Sequence, residues 1–326
     1  MRAMIIGCHG QDGQLMTEFL TEKGYELLLV GKRSNENHFS TSYLECDIRD
    51  KQKIGKAIRD FQPHEIYHFA GVSSPTRSFQ DKELTMEVNV EGTRNVLDGI
   101  RMNSVQSKMF FASSSEVFGD GFGEKLNLRS NQSPRNPYGQ SKLLASQLVH
   151  HYRLQYNLFA SSGYFFNHES EYRPPYFVVQ KIAFGVACAF LGIREYQDLR
   201  SEFPIVSDNK LTLGDLDLVR DWGEARQFMT AAWMTLQKTQ GRDYIIGTGE
   251  GTSLRQLVRA AYSIYGMDGR DMVISSSDFK RNEPKEIVAD VSASNQELGW
   301  RHEHHFSSWL KPMVEAATRH IKENYK

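Results

Sequence analysis

The stretch Ala3-Met-Ile-Ile-Gly7-Cys-His-Gly10-Gln-Asp-Gly13 decides how the rest of the chain is read. An apolar run ending at a glycine reads as a buried strand, and Leu15, Phe19 and Leu20 then share one helical stripe. A G-x-x-G-x-x-G turn thus joins a strand to a helix at the start of the chain. Such a turn lets backbone approach a pyrophosphate, and the helix start adds N–H donors and positive potential. Gly7, Gly10, Gln11, Asp12 and Gly13 become candidate cofactor contacts. The plain alternative is a glycine-rich turn that binds nothing.

Working outward, strand and helix keep alternating. A second strand over 25–30 runs into Gly31-Lys-Arg-Ser34. An acidic residue here suits the ribose 2′-OH of NAD, whereas two cations and a serine suit a 2′-phosphate; Arg33 and Ser34 therefore point to NADP. A third strand is expected over 44–48, with Asp47 and Ile48 at its end, followed by a helix over 51–61 and a strand over 65–69. That strand opens into Ala70-Gly-Val-Ser73-Ser, a small-residue loop where backbone meets a ribose or nicotinamide. A long helix over 83–102 carries Asn89 in its middle, and the apolar run 109–112 is the next strand. This order predicts an α/β fold on a doubly wound parallel sheet.

Chemistry gathers where that fifth strand ends. In Lys108-Met-Phe-Phe-Ala-Ser-Ser-Ser-Glu-Val-Phe-Gly119, alternation along a strand places Ser114 and Glu116 on one side if the extended form persists. Pro134 and Pro137 keep the following approach non-helical, and from Tyr138 the pattern Leu143, Leu144, Leu148, Val149, Tyr152 is helical. Tyr138 and Lys142 then lie at i and i+4 on one face. A neighbouring ammonium favours phenolate, so the pair reads as a general acid/base unit. Each half alone is ordinary: Tyr-x-x-x-Lys arises by chance, and a serine run with a glutamate suits any loop or cap.

Composition narrows the partner. The 326 residues, 40% hydrophobic and 24% charged, give the length and balance of a globular protein of two joined units. A formal net charge of -1 without a long basic run argues against nucleic acid and anionic membrane, and for a small molecule. Cys8, Cys46 and Cys188 stand far apart, as in a reducing compartment. The apolar run 182–193 is short of the ~20 residues of a membrane span, and the N-terminus enters a strand directly, so a cytoplasmic protein is expected.

Further motifs narrow the family. Gly10-Gln-Asp-Gly13, Ser114-x-Glu116 and Tyr138-x-x-x-Lys142 resemble the extended short-chain dehydrogenases/reductases. With Phe166-Asn-His-Glu-Ser170, Leu213-Gly-Asp-Leu-Asp217, Arg220-Asp-Trp-Gly223 and Gly247-Thr-Gly-Glu250, the chain resembles the GDP-mannose 4,6-dehydratases nearly end to end. The resemblance implies a Rossmann NADP-binding domain, 1–165 and 214–247, and a smaller nucleotide-sugar domain, 166–213 and 248–326. It implies oxidation of a nucleotide-bound hexose at C4, loss of water across C5 and C6, and return of the hydride to C6. Tyr138 would take the C4 hydroxyl proton, Lys142 would lower its pKa, Ser114 would bind the C4 oxygen, and Glu116 would move protons at C5 and C6. Gly7, Gly10, Gln11, Asp12, Gly13, Arg33, Ser34, Asp47, Ile48 and Ala70, with Tyr138 and Lys142, would hold the cofactor. Ser73, Asn167, Lys181, Arg220, Arg281 and Glu283 would hold the nucleotide sugar.

Departures from the family pattern are as informative. Ser114 replaces a threonine, the loop after Arg33 is short, Glu171-Tyr-Arg-Pro-Pro175 replaces Pro-Arg-Arg-Gly, and Phe279-Lys-Arg-Asn-Glu283 stands for an aromatic-Arg-Pro-x-Glu. A 4-keto-sugar reductase using NADPH is the main alternative, a 4-epimerase a more distant one, and a non-catalytic nucleotide-sugar-binding protein a different class. His302-Glu-His-His305 lacks acidic or cysteine partners, so no metal is expected. The faces of 83–102 and 138–152 are expected to pair with their copies in a homodimer, and the short loop removes a tetramer contact.

Overall fold

In the computed structural model the first half runs β1 (Arg2–Ile6), α1 (Gln11–Glu22), β2 (Glu26–Gly31), β3 (Ser42–Glu45), α2 (Lys51–Phe61), β4 (Glu65–His68), α3 (Pro75–Gln80), α4 (Lys82–Met86), α5 (Gly92–Asn103), β5 (Lys108–Ser114), α6 (Pro137–Tyr156) and β6 (Ala160–Phe165). The second half runs β7 (Asn167–Glu169), α7 (Val178–Leu191), β8 (Val206–Ser207), β9 (Lys210–Leu213), β10 (Val219–Glu224), α8 (Ala225–Leu236), β11 (Asp243–Ile246), β12 (Gly251–Ser253), α9 (Leu254–Ser263), β13 (Val273–Ser275), β14 (Glu286–Ile287), α10 (Ser292–Leu298) and α11 (Phe306–Asn324). The structure describes residues 1–32, 42–119, 124–201, 203–276, 284–303 and 305–325.

Seven strands pair in the order β11-β6-β5-β4-β1-β2-β3, every neighbour parallel. Parallel strands covered on both faces are buried along their length: β1 is apolar and buried beyond Arg2, and β4 is buried throughout, with Glu65 and His68 at its two ends. One face packs against α2, α5 and α6 through Ile54, Ile58, Val96, Ile100 and Val149. The other packs against α1 and α8 through Leu15, Leu20, Phe228 and Met229. Truncating a fully buried residue such as Ile58 to alanine costs about 2–5 kcal/mol. The strand order reverses between β1 and β4, which leaves a crevice at their carboxyl ends.

Behind that crevice, α7, α9 and α11 share an apolar cluster with residues of β9. Two small sheets complete this part: β12-β10-β14 with β7 beside β10, and β13-β9-β8. Ser253 opens α9 with a full capping box to Gln256, as the sequence suggests. No helix among the described residues is long and apolar enough to cross a membrane.

Three expectations need correction. The third strand stops at Glu45, so Asp47 and Ile48 lie beyond it. The sequence suggests a helix over 222–237, but residues 222–224 are strand, because β10 pairs with β7 and β12 before α8 begins. The helix expected over 83–102 is interrupted by a π turn at Glu87–Glu91. That turn sets Asn89 inward, where it is buried.

Candidate active site

The turn after β1 is shaped for a ligand by three glycines that differ in what confines them. Gly7 has φ +93°, and a Cβ there would fall 2.5 Å from Ala70 N; one on Gly13 would fall 2.3 Å from Gly7 O. Gly7 is confined by the backbone that follows β4, and Gly13 by the close packing of α1 on the turn after β1. A Cβ on Gly10 would meet only Gly7 O, at 3.5 Å, so its open side faces the crevice at the α1 start. Open backbone at a helix N-terminus fits the pyrophosphate of a dinucleotide. Ala70 closes the turn by donating its N–H to Ile6 O at 2.9 Å.

Gln11 and Asp12 turn toward the second half of the chain. Asp12 Oδ1 lies 3.0 Å from His168 Nε2, and His168 Nδ1 lies 2.8 Å from Phe166 O. Both ring nitrogens face acceptors, an arrangement the imidazolium satisfies. Gln11 donates to His168 O at 3.1 Å and accepts from Ser170 Oγ at 3.0 Å. Burial pushes the Asp12 carboxyl up, but His168, with Arg173 and Gln11, outweighs it and brings it down to about 2.

Tyr138 is gripped through its backbone. Its N–H donates to the buried Ser78 Oγ at 3.1 Å, and its carbonyl accepts from Ser141 Oγ at 2.7 Å. Asn89 donates to that Ser141 Oγ at 2.8 Å and exchanges two hydrogen bonds with the Val72 backbone, tying the loop after β4 to α6. Burial pushes the Tyr138 phenol up to about 12; the Ser114 hydrogen bond and Arg173 oppose it, while Glu116 and Asp12 reinforce it. Lys142 is fully enclosed, donates to Ala112 O at 2.7 Å, and lies 6.0 Å from the Tyr138 ring centre. Burial lowers its ammonium to about 8, against the pull of Asp12. Burial, not Lys142, dominates the phenol.

Glu116 reaches the crevice by another route than alternation. The strand ends at Ser114, Ser115–Phe118 forms a 3₁₀ turn, and Ser114 Oγ accepts the Glu116 N–H at 3.2 Å. The serine run that reads as strand continuation is a cap. The carboxylate accepts from Asn136 Nδ2 at 2.7 Å, a partner that sequence spacing did not single out.

Other expected contacts are spread around this centre. Asp47 accepts from Arg49 and lies 3.2 Å from Lys32, and these cations hold its carboxyl well below the usual range. Ile48 is buried, and its carbonyl accepts from Asn95. Ser73 is exposed in the loop after β4. Asn167 opens β7 opposite Trp222, and Lys181 donates to Thr212 O at 2.9 Å, its ammonium lowered by burial. Arg220 is buried and donates to Val219 O. Arg33, Ser34, Arg281 and Glu283 lie outside the described residues.

The Arg-Asp-Trp-Gly motif has a structural occupation that its sequence did not reveal. Buried Asp221 accepts from the backbone N–H groups of Thr248, Gly249 and Ala289, and Trp222 Nε1 donates to Thr252 O. His302 Nε2 accepts the Glu224 N–H at 2.9 Å, so this histidine of the His-Glu-His-His run serves β10. On α8, Phe228 and Met229 are fully buried in the core.

The family model of GDP-mannose 4,6 dehydratase matches residues 4–313. The chain belongs to that family. It is 32% identical over 362 residues to the GDP-mannose 4,6 dehydratase of Cricetulus griseus, covering 99% of this chain and 92% of that protein. Among solved structures, it resembles the UDP-glucose 4-epimerase of Thermus thermophilus in complex with NAD, with TM-score 0.83, 24% identity, and 97% and 99% of the two chains covered. It also resembles RMD from Pseudomonas aeruginosa complexed with NADPH, with TM-score 0.82, 20% identity, and 98% and 100% covered. These likenesses give the same extended Rossmann fold, as the sequence predicted.

Proposed function

We propose that this member of the family is a nucleotide-sugar 4,6-dehydratase that acts on GDP-mannose or a related GDP-hexose with bound NADP. The observation that carries the reading is Glu116: a carboxylate stands beside the Ser114, Tyr138 and Lys142 set at the switch point of the sheet. Hydride transfer at C4 needs only the latter three. Elimination needs a further base, because Tyr138 is engaged at C4.

A dinucleotide held at the Gly7–Gly13 turn would, when bound, supply hydride acceptance from C4 and its return to C6. Tyr138 takes the C4 hydroxyl proton while Ser114 holds the C4 oxygen. A phenol at about 12 ionises near neutrality only with added positive charge, and Lys142 and Arg173 are this chain's cations at hand. The resulting ketone acidifies C5–H; Glu116 removes that proton, and the C6 hydroxyl leaves as water with a proton from the same carboxyl. With the hydride returned to C6, C5 would regain a proton equivalent to the one that Tyr138 took from the C4 hydroxyl, so the sequence balances in protons and no net redox occurs.

NADP rather than NAD is favoured by Lys32 with Arg33 and Ser34 after β2. Asn167, Lys181, Arg220, Arg281, Glu283 and Ser73 are the proposed contacts for the diphosphate, base and sugar. The two-unit division 1–165 with 214–247 and 166–213 with 248–326 is carried as part of this reading. A homodimer through α5 and α6 is supported by exposed Met102 and Leu144, and light scattering at one chain mass would reject it.

The test is incubation of NADP-loaded protein with GDP-mannose and mass spectrometry of the sugar nucleotide. A product lighter by one water supports the dehydratase. Absence of that product, with NADPH consumed by a 4-keto-sugar nucleotide, replaces it with the reductase.

A further inference from the structure

Asn136, on the approach to Tyr138, uses both ends of its amide. It is the N-cap of α6, with Oδ1 accepting the Gly139 N–H at 2.8 Å, which satisfies one of the orphan donors of the first turn. Its Nδ2 donates to Glu116 Oε2 at 2.7 Å. Since the cap fixes which end accepts, the other end is the donor, and the amide has one productive orientation. The two contacts reinforce each other.

The backbone around this pair leaves little play. Glu116 stands on a 3₁₀ turn with its own N–H held by Ser114 Oγ, and a Cβ on Gly139 would fall 2.6 Å from Glu116 O. The turn bearing the carboxylate and the helix start bearing Tyr138 are therefore in direct contact, and the amide joins their working ends. Capping alone does not require an amide, because serine and aspartate cap as well. Aspartate has no donor for a carboxylate and serine has only one short hydroxyl, whereas asparagine carries acceptor and donor on separate atoms and so caps Gly139 and reaches Glu116 at once.

We propose that Asn136 is a positioning residue that aims the Glu116 carboxylate at C5 of the sugar, in fixed relation to Tyr138. This rests on the reading of Glu116 as the elimination base. The donated hydrogen bond leaves the second carboxylate oxygen to act on the substrate and restricts rotation of the side chain. Without it, the base remains present but swings.

The test compares Asn136→Ser and Asn136→Asp with the parent and Glu116→Gln, all NADP-loaded and given GDP-mannose in deuterated water. Both Asn136 variants keep an acceptor for Gly139 and lose the amide N–H that reaches Glu116; the serine keeps only a shorter hydroxyl at the cap, and the aspartate has no donor and sets a second negative charge against Glu116. The thermal midpoint of the serine variant and its first hydride transfer are expected to match the parent. Deuterium entry at C5 and water loss should slow roughly ten- to hundredfold, most in the aspartate variant. Exchange at the parent rate per folded molecule in both variants, with exchange abolished in Glu116→Gln, overturns the positioning role and leaves the proposed function standing. Exchange at the parent rate in Glu116→Gln, or none in the parent, overturns the reading of Glu116 and this inference with it.

Discussion

Tyr138 and Lys142 show what residue spacing conveys and what it leaves out. The i, i+4 relation was readable because it depends only on helix geometry, and α6 supplies that helix. Hidden from spacing was the competition: burial raises the phenol to about 12, and Lys142 directs one of its three donors to Ala112 O. Glu116 was legible as a carboxylate near the strand end, yet its route was not, since nothing in Ser-Ser-Ser-Glu separates a strand from a capped 3₁₀ turn. The cofactor's 2′-phosphate is a residue-scale claim. Arg33→Ala should weaken NADP roughly ten- to hundredfold, as expected from losing a charged contact of about 1.5–3 kcal/mol, and leave NAD nearly unchanged. Equal losses for both dinucleotides in a binding titration would remove Arg33 from that role.

Elements were legible where periodicity is strong and blurred where partners decide. The alternation of β1 to β6 with their helices follows from apolar runs and turns, and the sheet bears it out. A helix over 222–237 holds for α8 but starts too early, because Trp222 suits either form and only the pairing of residues 222–224 with β7 settles the matter. The π turn around Asn89 likewise answers to Val72 and Ser141, which are distant in sequence. At this scale the first βα turn makes a sharp prediction. Gly13→Ala sets a methyl 2.3 Å from Gly7 O, a backbone atom that has nowhere to move, so helix and strand must part. A loss of about 1–3 kcal/mol in denaturant unfolding and a clear loss of dinucleotide affinity are expected. Parent-like stability and binding would show that the turn tolerates the separation.

Across the whole molecule, the motifs that identify the family meet one another. Gly-Gln-Asp-Gly and Asn-His-Glu-Ser lie far apart in sequence, but Gln11 and Asp12 are joined to His168 and Ser170 in the fold. Each motif was legible as a string; their mutual contact was not, because no periodicity links separate loops. The Asp12 carboxyl, held at about 2 against an ordinary 3.8, stabilises the fold fully above its unfolded value and loses that contribution as pH falls from about 4 to about 2. The contribution at neutral pH is on the order of 2 kcal/mol, and Asp12→Asn should flatten the acid limb of the stability curve by that amount. An unchanged limb would assign acid sensitivity elsewhere. The molecule's central claim is a redox-neutral elimination with Glu116 as its base, and single-turnover absorbance of NADPH during reaction with GDP-mannose tests it most directly. Glu116→Gln should pass hydride to NADP and accumulate NADPH without losing water, whereas Tyr138→Phe should form no NADPH; dehydration by Glu116→Gln at the parent rate would contradict the claim.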